Sequence, residues 1–561
     1  MPRKKPFSGK QKKKQLKDKK LRKDEDSDDE DSRRHKKHHK NKGEAGTSHI
    51  DKKQDPHRYR LQFYKESRDV IKQRKLDAMK PYTKLPEKCL EVDMDVLYHP
   101  GTTPEIPKRP KWDYNLSKVK LEAKEDKIFK EYVDELFESY RIEDLSYFEL
   151  NLETWRQLWR VLEMSDILLL ISDIRHPMLN FSPALYHHIT EELNKSLILV
   201  LNKIDLAPPS LVIAWREYLM QKFPKLHVVC FSSFQKFDIA GNDQGAKVHK
   251  RRRHVKYDAI GPHELWQSCD DIVQGRVDLS EWKSKIETDL SSVEDEEGES
   301  PETVTEKQDS SFVEHEFFKD GILTIGCIGY PNVGKSSLIN GLMGKKVVSV
   351  SRTPGHTKHF QTIFLTQQVR LCDCPGLVFP SLVEKSLQIL AGIYPIAQVR
   401  DPYTPIGYLA QRVDLPILLK LKHPETEDTE EPERLEWSPV YVCEAWAEKR
   451  RFYTSMAARP DVSRAANHLL RITVDGRIRL CFRPKGYTDN IDKWESHTDT
   501  IKLAARSSHK DEISESESED DGIEVPGGSE EEESGEEGSE EDSEEEDGAG
   551  ISTSNPFAAL G

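Results

Sequence analysis

The segment 329–336 constrains the fold of this chain more than any other, because it reads G-Y-P-N-V-G-K-S. An apolar run at 322–328 precedes it, and a helical pattern begins near Ser337. A strand, a G-x-x-x-x-G-K-S loop and a helix predict a phosphate-binding loop, whose backbone N–H groups and helix N-terminus attract the anion. Lys335 would reach the β- and γ-phosphates, and the Ser336 hydroxyl would bind Mg²⁺. The predicted nucleotide-binding residues here are Gly329, Tyr330, Pro331, Asn332, Val333, Gly334, Lys335, Ser336 and Ser337.

A second motif, D-C-P-G at 373–376, follows an apolar run that predicts a strand. Asp373 would hold Mg²⁺ there, and the N–H of Gly376 would meet the γ-phosphate. Pro375 lies between them and joins the predicted nucleotide-binding set. A carboxylate at a strand end, close to a phosphate loop, is the usual arrangement for holding the metal ion of a nucleoside triphosphate.

A third motif, N-K-I-D, stands at 202–205 after another apolar run. The carboxylate of Asp205 can accept two hydrogen bonds, from N1 and from the exocyclic amine of guanine. Adenine offers no such pair of donors. Asn202 would brace the neighbouring loops and contact the base, while the stem of Lys203 would cover its face. The three motifs together predict that GTP and GDP bind here with Mg²⁺.

Apolar runs that predict strands alternate with helical patterns along the middle of the chain. Such alternation indicates an α/β fold with a mostly parallel sheet. The predicted strands are 166–173, 197–201, 226–231, 322–328, 361–365 and 369–372, and the helices between the first three are 183–193 and 209–223. Helical patterns are also present at 62–79, 118–140, 155–164 and 263–290.

Beyond Leu377 the pattern becomes mainly helical and predicts a small separate domain. Pro416 should break one of its helices. Asp475 and Gly476 form a hairpin-type turn between possible strands at 471–474 and 477–482. The predicted helices of this domain are 382–394, 408–421, 442–450 and 462–470.

The distribution of charged residues along the chain indicates further segments. The formal net charge of −14 averages a basic beginning with an acidic end, and blocks of like charge are usually disordered interaction tails. The predicted organisation has five parts: a basic disordered arm at 1–58, a proline-interrupted helical region at 59–149, a nucleotide-binding domain at 150–380 with an insertion at 235–318, a mainly helical domain at 381–487, and an acidic disordered tail at 488–561.

Composition also bears on location and partners. The sequence has no run long enough to cross a bilayer and no apolar h-region at its start, so we expect a soluble intracellular protein without membrane contact, and a monomer. The eight cysteines include no C-x-x-C pair and are expected to be reduced thiols.

The basic stretch 1–23 is expected to be a nuclear or nucleolar targeting signal bound by import receptors, an RNA-binding arm, or a solubilising tail. Lys250 and the arginines at 251–253 would add attraction for RNA, and the Ser-Glu repeats of the tail invite phosphorylation.

The order of the motifs is unusual. In an ordinary GTPase the phosphate loop comes first and N-K-x-D last, whereas here N-K-I-D precedes the phosphate loop. The chain resembles the circularly permuted GTPases of the YlqF/YawG family over about residues 147–487. The resemblance also includes the amino-terminal arm, and it is carried by MPRKKPFS at the start, YFELNLETWRQLWRVLEMSDILLLISDIRHP, LVLNKIDLAPP, CIGYPNVGKSSLINGL, SVSRTPGHTKHFQT and DCPGL.

The resemblance implies further site residues. Ser232 and Ser233 match the loop that contacts the guanine base, where Ser-Ala is commoner. Thr357 matches the switch threonine that completes Mg²⁺ coordination, with Thr353 as the alternative, and it joins Lys335 and Gly376 as a catalytic residue. Asn332 matches an asparagine associated with K⁺ activation, which gives a K⁺ hypothesis for this chain. The segment 173–177 matches a D-A-R-x-P motif, with Ile174 in place of alanine.

Leu377 bears on the rate of hydrolysis. Ras-like enzymes carry at this point the glutamine that orients the attacking water, and an apolar side chain cannot do so. We therefore expect weak GTPase activity without a partner.

The first functional hypothesis is a nucleotide switch that acts on ribonucleoprotein particles, in ribosome assembly or transport. We expect it in the nucleus or nucleolus, with shuttling to the cytoplasm. The alternatives are a signalling GTPase and a nucleotide-sensing scaffold.

Overall fold

A six-stranded sheet forms the centre of the molecule. The computed structural model describes residues 61–98, 103–112, 116–233, 259–291, 316–351, 354–355, 360–427, 435–454 and 459–508. The strands are β1 (Glu91–Val92), β2 (Ile167–Asp173), β3 (Ser196–Asn202), β4 (His227–Cys230), β5 (Leu323–Gly329), β6 (Gln361–Thr366), β7 (Val369–Asp373) and β8 (Arg483–Pro484). In the large sheet the order is β4-β3-β2-β5-β7-β6. All its pairs are parallel except β6 with β7.

Helices cover the sheet and extend beyond it. They are α1 (Arg68–Asp77), α2 (Met94–Leu97), α3 (Lys118–Ser139), α4 (Leu152–Met164), α5 (Pro177–Asn180), α6 (Pro183–His187), α7 (Pro209–Lys222), α8 (Pro262–Val273), α9 (Ser280–Ser291), α10 (Lys335–Met343), α11 (Lys385–Leu390), α12 (Tyr403–Ala410), α13 (Leu415–Leu418), α14 (Pro439–Arg450), α15 (Val462–Val474), α16 (Ile491–Glu495) and α17 (Thr498–Ser508). Among the described helices none is long and apolar enough to span a bilayer.

The central strands explain why this sequence forms an α/β sheet. Every residue of β2 and of β5 is buried, as expected for parallel strands with helices on both faces. The carboxylate of Asp166, just before β2, accepts hydrogen bonds from the N–H groups of Phe318 (2.9 Å) and Thr324 (2.7 Å). This contact fixes the start of β5 beside β2, although the two strands are far apart in sequence.

The structure confirms the predicted α/β class and all six strands of the large sheet, with ends shifted by at most one residue. The helix predicted at 263–290 is instead two helices, α8 and α9, because Gln274 adopts a left-handed conformation with φ of 51°. The helix predicted at 62–79 begins only at Arg68, after the cap residue Ser67. The predicted break near Pro416 is present between α12 and α13.

The predicted hairpin at 471–482 is wrong. Residues 471–474 form the last turn of α15, and Gly476 follows with φ of 82°. A glycine with positive φ just beyond a helix is a common helix end, and the N–H of Arg477 donates to the carbonyl of Ile472 at 3.0 Å. The turn residues were therefore correctly located but end a helix.

The folded chain continues past Tyr487. Helices α16 and α17 lie within the range assigned to an acidic tail, and both pack on α7. A salt bridge of 2.6 Å joins Arg216 on α7 to Asp499 on α17. Strand β8 pairs with β1, which ties this end of the chain to the region before the large sheet. All eight cysteines are free thiols.

Candidate functional site

The carboxyl ends of β2, β3, β5 and β7 meet at one edge of the sheet, and the loops that follow them converge there. The phosphate loop after β5 is tightly enclosed. A Cβ on Gly329 (φ 147°) would lie 2.6 Å from the carbonyl oxygen of Ile171, and one on Gly334 (φ 96°) would collide with the Asn202 amide. Both positions therefore need glycine, and α10 begins immediately afterwards at Lys335.

Lys335 and Ser336 stand where the motif predicts. The Nζ of Lys335 donates to the carbonyls of Gly329 (3.2 Å) and Tyr330 (2.7 Å) within its own loop. Burial lowers its pKa, although the negative charge of Asp373 opposes this. Since these acceptors are ordinary backbone carbonyls, a phosphate anion can replace them as the partner of the ammonium group.

The predicted Mg²⁺ ligands Ser336 and Asp373 are adjacent. The Ser336 Oγ donates to Asp373 Oδ2 at 3.0 Å. The other carboxylate oxygen, Oδ1, is buried and has no hydrogen-bond partner among the described residues. Burial raises the pKa of Asp373 to about 6, while Lys335 and Ser336 act in the opposite direction. An unpaired buried carboxylate oxygen beside a hydroxyl is a fitting donor set for Mg²⁺.

The N-K-I-D loop after β3 packs directly against the phosphate loop. The Asn202 Nδ2 donates to the Val333 carbonyl at 2.9 Å, which confirms the predicted bracing contact. Asp205 accepts a hydrogen bond of 2.8 Å from the Ser232 Oγ. Thus the two loops predicted to read the base lie together, although they come from different strands. Ser233 is buried next to them, and its Oγ has no partner in the part of the chain that the structure describes.

The D-C-P-G loop also packs against the phosphate loop. A Cβ on Gly376 would lie 2.7 Å from the Pro331 Cα and 3.1 Å from the Lys335 Nζ, so the loop lies against the phosphate loop. The N–H of Leu377 donates to the Gly329 carbonyl at 3.2 Å, and its side chain is buried. The other predicted positions that are buried here are Tyr330, Pro331, Val333, Ser337 and Pro375.

Two predictions are not decided by this geometry. Thr357 and the alternative Thr353 lie outside the described residues. Asn332 has φ of 58°, and its Nδ2 donates to the Gly392 carbonyl at 2.7 Å. Its connection with K⁺ stays a prediction.

Sequence reasoning gave no role to several charged residues at the site. Asp173, at the end of β2, accepts hydrogen bonds from both Arg175 and Lys203. Glu149 is fully buried beside the segment after Leu377, and its N–H donates to the Val378 carbonyl at 3.0 Å. The match of 173–177 to D-A-R-x-P was the available signal for the first group. The sequence around Glu149 carried no corresponding signal.

Comparison with known proteins agrees with this site. A profile of the family described as "50S ribosome-binding GTPase" matches residues 324–418. Guanine nucleotide-binding protein-like 1 of Rattus norvegicus is 51% identical over 543 residues, which cover 90% of this chain and 89% of that protein. The chain belongs to the guanine nucleotide-binding protein-like 1 family. The Homo sapiens member is 50% identical over the same length and coverage.

The chain is also similar, more distantly, to two other proteins. "Large subunit GTPase 1 homolog" of Bos taurus is 33% identical over 442 residues, or 68% of this chain and 67% of that protein. GNP-bound YlqF from T. maritima aligns with a TM-score of 0.34 and 17% identity, covering 59% of this chain and 99% of that one. Within its family, this chain is a GTP-binding protein with a phosphate-loop α/β domain.

Proposed function

We propose that the chain is a GTPase with slow intrinsic turnover that acts as a nucleotide switch on ribonucleoprotein particles, in ribosome assembly or transport. The observation that carries GTP chemistry is the packing of the N-K-I-D loop, whose Asp205 is hydrogen-bonded to Ser232, against the phosphate loop through Asn202 and Val333. A base-reading carboxylate and a phosphate cradle then face one bound nucleotide. Mg²⁺ would be held by Ser336 and Asp373 and would neutralise phosphate charge.

Slow hydrolysis follows from the residue after D-C-P-G. Leu377 is buried and apolar, so it cannot orient an attacking water. We expect single-turnover phosphate release slower than about one per second without a partner. The Lys335→Ala variant should lose nucleotide binding, because Lys335 is the only cationic residue of the segment 329–336. Faster release by the unaccompanied protein would contradict slow turnover, and release that survives in a folded Lys335→Ala protein would contradict this site.

The K⁺ hypothesis can be tested in the same assay. If Asn332 takes part in K⁺ activation, replacing KCl by NaCl at constant ionic strength should slow phosphate release. The same rate in both salts would contradict the hypothesis.

An arginine face supports a ribonucleoprotein partner. We use this name for Arg450, Arg464, Arg471 and Arg477, which surround His468 on α14, α15 and the turn after α15. Burial and then these four charges lower the pKa of His468. The Arg450 guanidinium lies 5.0 Å from the Trp446 ring, and that of Arg464 lies 4.7 Å from the Phe452 ring.

Exposed arginines such as Arg464, Arg471 and Arg477 suit an RNA partner, since their charges can meet backbone phosphates. The basic segments at 1–58 and 250–253, which we also expect to contact RNA, lie outside the described residues. One relative carries "large subunit" in its name and the matching profile "50S ribosome-binding", which describes those proteins and motivates the choice of particle here.

Cosedimentation with pre-ribosomal particles tests this partner. We expect binding that depends on GTP and weakens as salt rises. Arg464→Glu should reduce it several-fold. The matched control is Arg141→Glu, which changes the charge equally at a residue whose side chain is 74% exposed and which lies outside the arginine face. Absence of GTP-dependent cosedimentation would favour the signalling alternative. Nuclear or nucleolar location, import receptors and a monomeric state stay predictions.

A further inference from the structure

Two buried charges, Asp173 and Arg175, lie behind the guanine loop, which we define as residues 202–206, and the half-buried Lys203 of that loop contacts them. Asp173 Oδ2 accepts hydrogen bonds from Lys203 Nζ (2.9 Å) and from an Arg175 terminal nitrogen (2.8 Å). Its Oδ1 accepts from Arg175 Nε at 3.0 Å. Burial would raise the pKa of Asp173, but the charges of Arg175 and Lys203 hold it well below its ordinary value. The carboxylate is therefore ionised and joins two cations.

Lys203 connects this group to the nucleotide loops. Its Nζ also donates to the Asn332 carbonyl in the phosphate loop at 2.6 Å, and its backbone adopts a left-handed conformation with φ of 61°. The position of the Lys203 stem, which is predicted to cover the base, thus depends on Asp173. Asp173 in turn is held by Arg175 through two hydrogen bonds from its side chain.

Arg175 reaches in the other direction to the end of α15. Its two terminal nitrogens donate to the carbonyls of Thr473 (3.1 Å) and Val474 (3.4 Å). These belong to the last turn of α15, where helix carbonyls lack partners and carry partial negative charge. The Arg175 carbonyl also accepts from the N–H of Phe482 at 2.9 Å. With a side chain only 1% exposed, this arginine caps a helix that starts almost 300 residues later.

Two more contacts join the end of α15 to the nucleotide loops. A Cβ on Gly476 would lie 2.9 Å from Leu206 Cδ1, so the turn after α15 packs tightly on the residue next to Asp205. A Cβ on Gly392 would lie 2.8 Å from Val474 Cγ1, and the Gly392 carbonyl accepts from Asn332. The end of α15 therefore contacts the guanine loop directly and the phosphate loop through Gly392.

We propose that Arg175 is a positioning residue that couples the guanine loop to the carboxyl end of α15, so that guanine nucleotide binding and docking of α15 stabilise each other. This inference rests on the proposed function only in requiring that guanine nucleotides bind. Coupling between two sites is reciprocal, and a nucleotide that stabilises the docked helix must be bound more tightly by the docked form. The route passes through Lys203 and the guanine loop, and it does not involve the predicted Mg²⁺ ligand Asp373.

A substitution on the α15 side gives the cleanest test. Gly476→Ala should push the turn away from Leu206 and weaken the binding of a fluorescent GDP analogue on the order of tenfold. Gly275→Ala is the matched control, because Gly275 has a similar φ (76° against 82°) but nothing within 4 Å of the added Cβ. It carries the same backbone strain without the steric contact. Equal affinities for the two variants would overturn the proposal.

A second measurement separates coupling from mere loss of stability. Hydrogen exchange of the amides at 462–482, with and without GDP, should show protection by GDP in the wild-type chain. Arg175→Met should abolish this nucleotide-dependent difference, and Arg175→Lys, which keeps the charge beside Asp173, should restore part of it. The same GDP-dependent protection in wild type and a folded Arg175→Met protein would overturn the proposal. If the wild-type chain itself fails to bind GDP, the proposed function fails instead.

Discussion

Asp205 and Ser232 meet through a single hydrogen bond of 2.8 Å, and this contact makes base specificity testable at one position. Asp205→Asn replaces one carboxylate oxygen by an amide donor. Guanine then meets a donor where its own amine donates, while xanthine offers a carbonyl oxygen at that position. We expect the variant to bind GTP at least tenfold more weakly and to gain affinity for XTP. Competition of both nucleotides against a fluorescent GDP analogue measures the change.

The Asp205→Asn result has a simple internal control. Phosphate recognition is unchanged by this variant, so magnesium dependence of binding should persist for XTP. A variant that loses GTP and XTP equally, while remaining folded, would show that Asp205 does not read the base.

The buried carboxyl group of Glu149 lets us predict how the stability of the folded protein depends on pH. Burial raises its pKa to about 8, although the N–H groups of Gln62 and Asn151 act against this. The folded state therefore keeps a proton that the unfolded state, with a pKa of 4.5, has already lost. Stability should fall as pH rises towards and through 8, by roughly 1 kcal/mol between pH 7 and 9. Thermal unfolding across this range measures the slope.

Glu149→Gln serves as the comparison for that slope. The neutral amide keeps an oxygen for the two N–H donors and cannot ionise. We expect the variant to show a flatter pH dependence than the wild type between pH 7 and 9. Parallel curves for the two proteins would mean that Glu149 is already ionised in the folded state.

At the scale of elements, strand β5 and helix α4 pack so closely that adding a single methyl group between them should destabilise the protein. A Cβ on Gly326 would lie 2.8 Å from Val161 Cγ1 and would collide with the Ser165 hydroxyl. Gly326→Ala should reduce the free energy of unfolding by roughly 1–3 kcal/mol. Denaturant unfolding provides the measurement.

Shortening the Val161 side chain tests whether its overlap with the added methyl group destabilises Gly326→Ala. Val161→Ala alone leaves a cavity under β5 and should destabilise the protein. In the Gly326→Ala background the same change relieves the overlap with Val161, though not that with the Ser165 hydroxyl, and should cost less, since neighbouring substitutions are not additive. Additive losses would show that the close contact is not what destabilises Gly326→Ala.

The elements near the nucleotide could be predicted from the sequence because their signals are local. Apolar runs such as 166–173 define buried strands, and the motifs stand at their ends, where parallel strands meet. The segment 471–482 could not be predicted in this way. Its alternating arginines and apolar residues mimic a strand, whereas its first part completes the buried face of α15. The role of Arg175 was equally hidden, because its partners are backbone carbonyls that carry no sequence signature.

At the scale of the whole molecule, the last two helices should contribute to stability although they lie beyond the predicted folded region. Helices α16 and α17 pack on α7, and the Arg216–Asp499 salt bridge joins α17 to it. Ending the chain after Tyr487 should reduce the free energy of unfolding by roughly 2 kcal/mol through lost apolar burial. Ending it after Ser508 should leave the melting temperature unchanged. Equal melting temperatures for the two truncated proteins would contradict a stabilising role.

The neighbouring positions of β2 and β5 have a consequence for synthesis. About 150 residues separate these two central strands, and translation at 5–20 residues per second needs on the order of ten seconds to cover them. During that interval β2 can pair with β3, but its other edge has no partner within the nascent chain. A strand with five consecutive apolar residues and an open edge is the kind of surface that pairs with other chains. The strand that finally lies at the centre of the sheet is therefore an edge strand while the chain is being synthesised. It has to be kept from pairing with other chains during that time.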